Sequence, residues 1–155
     1  MKTLVVYDSF FGNTEQIARA VGRGLGVPAS GVLRPKDAGP EQMAGLELLI
    51  VGSPTRGFRP TEAVAKWIGN LPGNSLQNVR VAGFDTRIAL EDIKASALRL
   101  LVKIGGYAAK HIVSALKKKG GKVIAEPEGF FVADEKGPLK AGETERAAEW
   151  AKQLR

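Results

Sequence analysis

"TLVVYDSFFGNTEQIARAVGRGL", Thr3 to Leu25, is the stretch on which the reading of the fold turns. Leu4, Val5, Val6 and Tyr7 make an apolar run of β-preferring residues that stops at Asp8, and after "SFFGNT" the apolar positions recur with helical period. A strand, a tight bend and a helix therefore open the chain. The bend is too short to be a unit of its own. It is also too rich in small, hydroxyl and amide side chains to be a bare connection.

Working outward, apolar runs alternate with helical patterns, which is the βαβα signature of a parallel sheet covered on both faces. Five strands are predicted, near 3–8, 30–34, 47–53, 79–84 and 122–132, the last interrupted by "EPEG". "LELLIVGS" is almost continuously apolar, as suits a strand buried on both sides. Helices are predicted near 13–25, 61–70, 105–119 and 142–154, with a short, weakly patterned segment near 37–45. The glycines of "GRGLG", 22–26, are read as the end of the first helix. "RIALEDIKASALRLLVKI" sets Ile93, Ala97, Leu100, Leu101 and Ile104 at helical spacing, so an extra amphipathic helix or helix pair leaves the carboxyl end of strand four. That is the end at which an open α/β sheet binds its ligand. Trp67 and Trp150 fall within helices and are read as core.

Composition narrows the chemistry. The 155 residues match one domain, 1–155, with enough chain to bury a core unaided. Hydrophobic residues at 44% against 25% charged give the balance of a soluble globular protein. No apolar run reaches the roughly 20 residues of a membrane span, and the run after Lys2 is too short for a signal peptide, so a cytoplasmic protein with no membrane partner is expected. The absence of cysteine excludes disulfides, Cys-ligated zinc, iron–sulfur clusters and thiol nucleophiles. His111 is the only histidine and is read as an ordinary helical residue, with no second imidazole for a metal site. Neither a metal site nor a catalytic side chain is expected, and the chemistry falls to a bound cofactor. The net charge of +7 suits nucleic acid, an anionic surface or an acidic protein. The basic-aromatic interleaving of nucleic-acid readers is missing, so no nucleic acid is expected as a partner. Lys117, Lys118 and Lys119 end a helix at the pole away from the bend and complement its dipole.

A strand-bend-helix unit with glycine at the bend is an anion site, because the first helical amides point outward and the dipole favours negative charge. Gly12 allows close approach, and Ser9, Asn13 and Thr14 add side-chain donors. A phosphate monoester suits such a nest; the competing reading makes Ser9 or Asn13 a plain helix cap. A Walker loop, G-x-x-x-x-G-K-S/T, is not found after any strand, and the first turn lacks the G-x-G-x-x-G of a Rossmann unit.

With these residues in view, the sequence resembles the flavodoxin family, whose phosphate loop commonly reads S/T-x-T-G-N-T; here it is "SFFGNT". "IVGSPTRGFRP", 50–60, stands at the second flavin loop of that family, and "GFDTRI", 83–88, at the third. "GYAAKHIVSALKKKGGKVI" and "GPLKAGETERAAEWA" are similar to its last helices and strand. The resemblance implies an α/β, flavodoxin-like three-layer sandwich with a five-stranded parallel sheet of order 2-1-3-4-5 and FMN at the switch point, an arrangement for which flavodoxin is a standard illustration. It places Ser9, Phe10, Phe11, Gly12, Asn13 and Thr14 around the phosphate. Pro54, Thr55, Arg56, Gly57 and Phe58 would border one side of the ring, and Asp85, Thr86 and Arg87 the other.

The departures are specific. Phe11 replaces a hydroxyl of the phosphate loop, and the third loop offers no aromatic after Phe84, which leaves Phe58 as the stacking candidate. The strand-five insertion of long-chain flavodoxins is missing. Arg56, Arg59 and Arg87 fall on the flavin loops of a family that is typically acidic. One cation about 8 Å from a reduced, anionic flavin, at an effective dielectric of about 20, is worth about 2 kcal/mol, or about 90 mV for one electron. A less negative second couple is therefore expected.

By resemblance the chain is an electron carrier between redox proteins, docking an acidic surface by charge complementarity. The alternative is an FMN-dependent NAD(P)H:quinone-type oxidoreductase. In it Arg87 would meet an anion or carbonyl, Asp85 would orient Arg87, and the 88–104 segment would roof the substrate or form an oligomer contact. A receiver-like regulatory module shares the topology but needs an acidic cluster that is missing here. The resemblance fixes no oligomeric state.

Overall fold

The computed structural model describes residues 1–93 and 95–155, with backbone alone for 101–105. Lys94, and the side chains of Leu101 and Ile104 in the predicted amphipathic pattern, lie outside the described residues.

Strand β1 (Thr3–Tyr7) is central. It pairs in parallel with β2 (Val32–Leu33) on one side and β3 (Leu48–Pro54) on the other, Val5 facing both Val32 and Ile50. Strand β4 (Arg80–Ile88) runs parallel beside β3. The predicted fifth strand is two pieces, β5 (Lys122–Val123) and β6 (Glu128–Val132), both parallel to β4. The order is β2-β1-β3-β4-β5, with β6 as an additional strand on β4. The break falls at "EPEG": Val81 faces Val123 and Phe84 faces Glu128, so three steps along β4 correspond to five along its partner. Pro127 sits in the gap, where its missing N–H costs no ladder bond.

Successive residues of the central strands face opposite layers, as the period of two requires. Val5, Tyr7, Leu48 and Ile50 pack with Ile17 and Val21 of α1 (Asn13–Leu25) and Ala147 and Ala151 of α6 (Glu143–Lys152). Leu4, Val6, Leu49 and Val51 pack on the other side with Val64 and Ile68 of α3 (Glu62–Asn70) and Ile112 and Leu116 of α5 (Ala108–Lys118). A single turn, α2 (Pro40–Met43), fills the weakly patterned segment. The extra segment forms a 3-10 turn at Leu90–Asp92 and then α4 (Ser96–Gly105), with Ser96 to Leu100 exposed. Both tryptophans are half-buried at core edges: Trp150 meets Phe84 and Phe130 edge-to-face at 6.2 and 5.9 Å, and Trp67 donates from Nε1 to Ala38 O at 2.8 Å.

Two expectations are corrected. Asp85, Thr86 and Arg87 are not in a loop, because β4 continues to Ile88, paired with β3 as far as Thr86 and with β6 as far as Ile88. The resemblance sets them in a flavin loop, yet both edges of this stretch are bonded and the Asp85 and Arg87 side chains satisfy each other. In "GRGLG" only Gly26 ends the helix, at φ 71° with its N–H on Arg23 O and Gly22 O. Gly24 instead admits α6: a Cβ there would stand 2.3 Å from Ala148 O and 2.9 Å from Ala151 Cβ.

Gly24 and Gly69 therefore respond oppositely to alanine. Gly24→Ala forces α1 from α6 and is expected to cost about 1–3 kcal/mol by overpacking. Gly69→Ala, in α3 with nothing within 4 Å, is expected to gain about 0.5–1 kcal/mol. Urea denaturation of both variants checks the pair.

Candidate functional site

With α1 leaving β1 on one face and α3 leaving β3 on the other, a crevice opens beyond the carboxyl ends of the two strands. A cleft of about 90 Å³ lies there, lined by Ser9, Phe10, Phe11, Asn13, Thr14, Pro54, Thr55, Arg56, Thr86, Arg87, Ile88, Val132 and Glu135. A larger groove of about 400 Å³ between α2 and α3, lined by Met43, Trp67, Leu71 and Pro72, is mostly apolar. Volume would favour the groove. Convergent donors favour the cleft.

The floor of the cleft is the β1–α1 bend. Asp8 N donates to Gly52 O at 3.1 Å, Ser9 N to Asp8 Oδ1 at 2.9 Å and Gly12 N to Ser9 Oγ at 3.0 Å, while Gln16 N begins the helical ladder on Gly12 O. Between these bonds, the amides of Phe10, Phe11, Asn13, Thr14 and Glu15 have no protein acceptor among the described residues. The last three are the unpaired amides that open any α-helix. Gly12 reverses the chain at φ 90°, which side chains resist, and nothing lies within 4 Å of where a Cβ would be.

Three neighbours fix the bend. Arg34, just after β2, donates from Nη1 to Asp8 Oδ1 at 3.0 Å and to Ser9 O at 3.1 Å, and its Nη2 stands 3.6 Å from Glu15 Oε1. Its guanidinium also lies 5.3 Å from the Tyr7 ring centroid. Thr14 Oγ1 and Thr86 Oγ1 share a buried hydrogen bond of 2.7 Å that joins α1 to β4. Asn13 Nδ2 donates to Lys136 O at 3.1 Å, and Gly137 leaves room for that amide, since a Cβ there would stand 2.6 Å from Asn13 Oδ1.

The opposite wall is a buried ion pair. Asp85 is 0% exposed, and Arg87 donates to it from Nε at 2.6 Å and Nη2 at 2.9 Å. Ala109 N, in the first turn of α5, donates to the same carboxylate at 2.8 Å. Thr55 bonds it too, and its Oγ1 accepts from Ala108 N at 3.1 Å. Asp85 thus ties the segment after β3, the end of β4 and the start of α5 together. Burial pushes its carboxyl above the usual carboxylate range, opposed by Arg87, Ala109 and Thr55.

At the mouth, Phe10 and Phe11 are 55% and 45% exposed, and the Arg56 guanidinium lies 5.0 and 6.0 Å from their centroids while pairing with Glu135 at 3.3 Å. Ten of the fourteen residues expected at the site therefore line the cleft. Gly12 forms the bend itself, and Asp85 lies behind Arg87. Gly57 and Phe58, at φ 53° and 69°, turn the chain without lining the cleft. Sequence reasoning missed Ile88, Val132, Glu135 and the Arg34 clip. The loop after strand five ends at the same edge of the sheet as the other loops, a signal that could have found Glu135.

No protein-family model and no curated protein matches the chain. Solved structures do. An archaeal flavodoxin superposes with TM-score 0.74 at 19% identity, covering 99% of this chain and 96% of its own. Flavodoxin 2 from Bacillus cereus gives 0.69 at 22%, covering 97% and 95%. A short-chain flavodoxin associated with a non-canonical PDU bacterial microcompartment gives 0.70 at 20%, covering 99% and 97%. The chain has the flavodoxin fold. Among the described residues, no helix is long and apolar enough to cross a membrane, and no group of three or more His, Asp or Glu is placed to hold a metal ion.

Glu15, beside the bend, gives the site a pH signature. The hydrogen bond from Tyr7 Oη at 3.0 Å, with Arg19 and Arg34, holds its carboxyl below the usual range. In acid the unfolded chain protonates this group first, so the contribution is complete above the ordinary carboxylate pKa and is lost as pH falls through the lowered, folded value. Tyr7→Phe should flatten the acid limb of a stability-against-pH curve, with the difference from wild type fading at the lowest pH.

Proposed function

We propose that the cleft holds FMN, with the phosphate at the β1–α1 bend, and that the protein carries electrons between redox partners. The carrying observation is that the amides of Phe10, Phe11, Asn13, Thr14 and Glu15 have no protein acceptor among the described residues, at the switch point of a fold shared with flavodoxins. Unpaired N–H groups at a helix start suit a phosphate monoester. The Ser9 hydroxyl, which accepts from Gly12 N, keeps its proton to donate. Phe11 contributes its main-chain amide where the flavodoxin loop has a hydroxyl.

Pro54, Thr55 and Arg56 at the end of β3 and Thr86, Arg87 and Ile88 at the end of β4 line the cleft and would border the ring. The cleft is smaller than the roughly 300–1,000 Å³ of ligand pockets, and Arg56 is among the residues that line it. Its pairing with Glu135 is exposed, a type worth at most about 1 kcal/mol, so a ligand that displaces it loses little. When bound, FMN supplies reversible electron transfer, and the chain needs no acid or base of its own.

The basic balance supports an acidic docking partner. Arg56 and Lys136 flank the exposed phenylalanines at the mouth, where opposite charge would steer a partner in and salt would slow it. A cytoplasmic setting belongs to the same proposal. The second reading, an NAD(P)H:quinone-type oxidoreductase, has one observation in its favour: Phe10 and Phe11 offer apolar area at the mouth for a second ring.

Purified protein should be yellow, or take up added FMN, and should exchange electrons with an acidic redox protein at a rate that falls with salt. With NADH and a quinone but no reductase it should turn over slowly. Fast turnover under those conditions would replace the carrier with the enzyme.

A further inference from the structure

Two arginines line the cleft, and they are held in opposite ways. Arg56 rests on exposed groups, Glu135 and the rings of Phe10 and Phe11. Arg87 is locked: two of its nitrogens grip Asp85, and its guanidinium carbon stands 3.9 Å from the Tyr107 ring centroid. It also lies against Gly129 of β6, where a Cβ would be 2.1 Å from Cζ and Nε. Tyr107 is itself fixed by a hydrogen bond from its hydroxyl to Ile88 O at 3.1 Å. Arg59, the third arginine near these segments, borders a separate groove between α3 and α5.

The polarity of this pair is fixed as well. Asp85 is fully buried, whereas the Arg87 side chain is 18% exposed and lines the cleft, so a ligand meets the positive end. A pair that served packing alone would not require a cleft-facing cation. Nor would it require a bare glycine under the guanidinium.

We propose that Arg87 sets the reduction potential of the cleft's cofactor by stabilising the negative charge that reduction leaves on it, with Asp85, Tyr107 and Gly129 as positioning residues. This rests on the FMN reading above. The electrons come from a reduced partner protein, or from dithionite in a titration, and end on the flavin; no covalent bond to the protein is made. A guanidinium held in place before the charge arrives acts as a preorganised electrostatic group, with no side chain to reorganise at the moment of transfer. The sign holds for either state of Asp85. Without Arg87 the carboxyl either stays ionised, which makes the wall more negative, or takes a proton, which removes the positive end. Both outcomes disfavour the reduced flavin.

The test is a dithionite titration of FMN-loaded protein against reference dyes, with FMN affinity measured in parallel. Arg87→Gln should shift the reduced-to-oxidised ratio at a fixed potential about tenfold toward oxidised, which is about 59 mV for one electron. The double variant Asp85→Asn with Arg87→Gln should do the same without leaving a bare buried carboxylate, and so stands in if the single variant fails to fold. Gly129→Ala should move the potential in the same direction with every charge retained, and Arg87→Lys should restore part of the shift. Potentials of the Arg87→Gln variants that coincide with wild type overturn the proposal. A wild-type potential in Gly129→Ala overturns the positioning role. Wild-type protein that takes up no FMN overturns this proposal together with the reading beneath it.

Discussion

An α-helix begins with amides that its own ladder cannot satisfy, and the β1–α1 bend gathers five amides, unpaired among the described residues, at the carboxyl end of the central strand. The rest of the cleft is arranged around that constraint. Gly12 turns the chain so that the donors converge, Thr86 reaches across from β4 to hold Thr14, and Lys136 holds Asn13 from the loop after β6. Because these elements belong to one parallel sheet, their carboxyl ends meet at one edge. The donors are consequently in place before any ligand arrives.

Charge is managed in the same region by pairing. Asp8 and Glu15 stand next to the bend and would oppose an anion, but Arg34 contacts both. Glu135 at the mouth has Arg56, and Asp85 behind the far wall has Arg87. With the acids matched, neutral main-chain donors dominate the floor and a fixed cation faces the cleft from one side. This balance differs from a generally basic surface, and the net charge of +7 alone would not reveal it. It suits a cofactor with a phosphate at one end and a ring that gains charge at the other.

The sequence showed the layered sheet because Leu4 to Tyr7 and Leu48 to Val51 are apolar on both faces, a pattern few other folds require. The bend was legible from Gly12 and the donors beside it. Asp85 to Arg87 are set in a loop by the family resemblance, whereas the Asp85 and Arg87 side chains satisfy each other inside a strand paired on both edges. Gly22 and Gly24 are a similar case: glycine can end a helix or admit a neighbour, and only Val32 of β2 beside Gly22 and α6 beside Gly24 decide between the two. Arg34 was invisible for a different reason. Its role depends on β2 lying beside β1, which sheet order supplies and local pattern does not.

The central claim is that the amides of this bend hold a phosphate, and comparing FMN with riboflavin by calorimetric titration tests it most directly, since the two ligands differ by that group alone. Each charge-assisted hydrogen bond is worth about 1.5–3 kcal/mol and each tenfold in affinity about 1.4 kcal/mol, so two such bonds predict FMN tighter by about a hundredfold or more. Equal affinities for the two flavins, or binding of neither, would contradict the account.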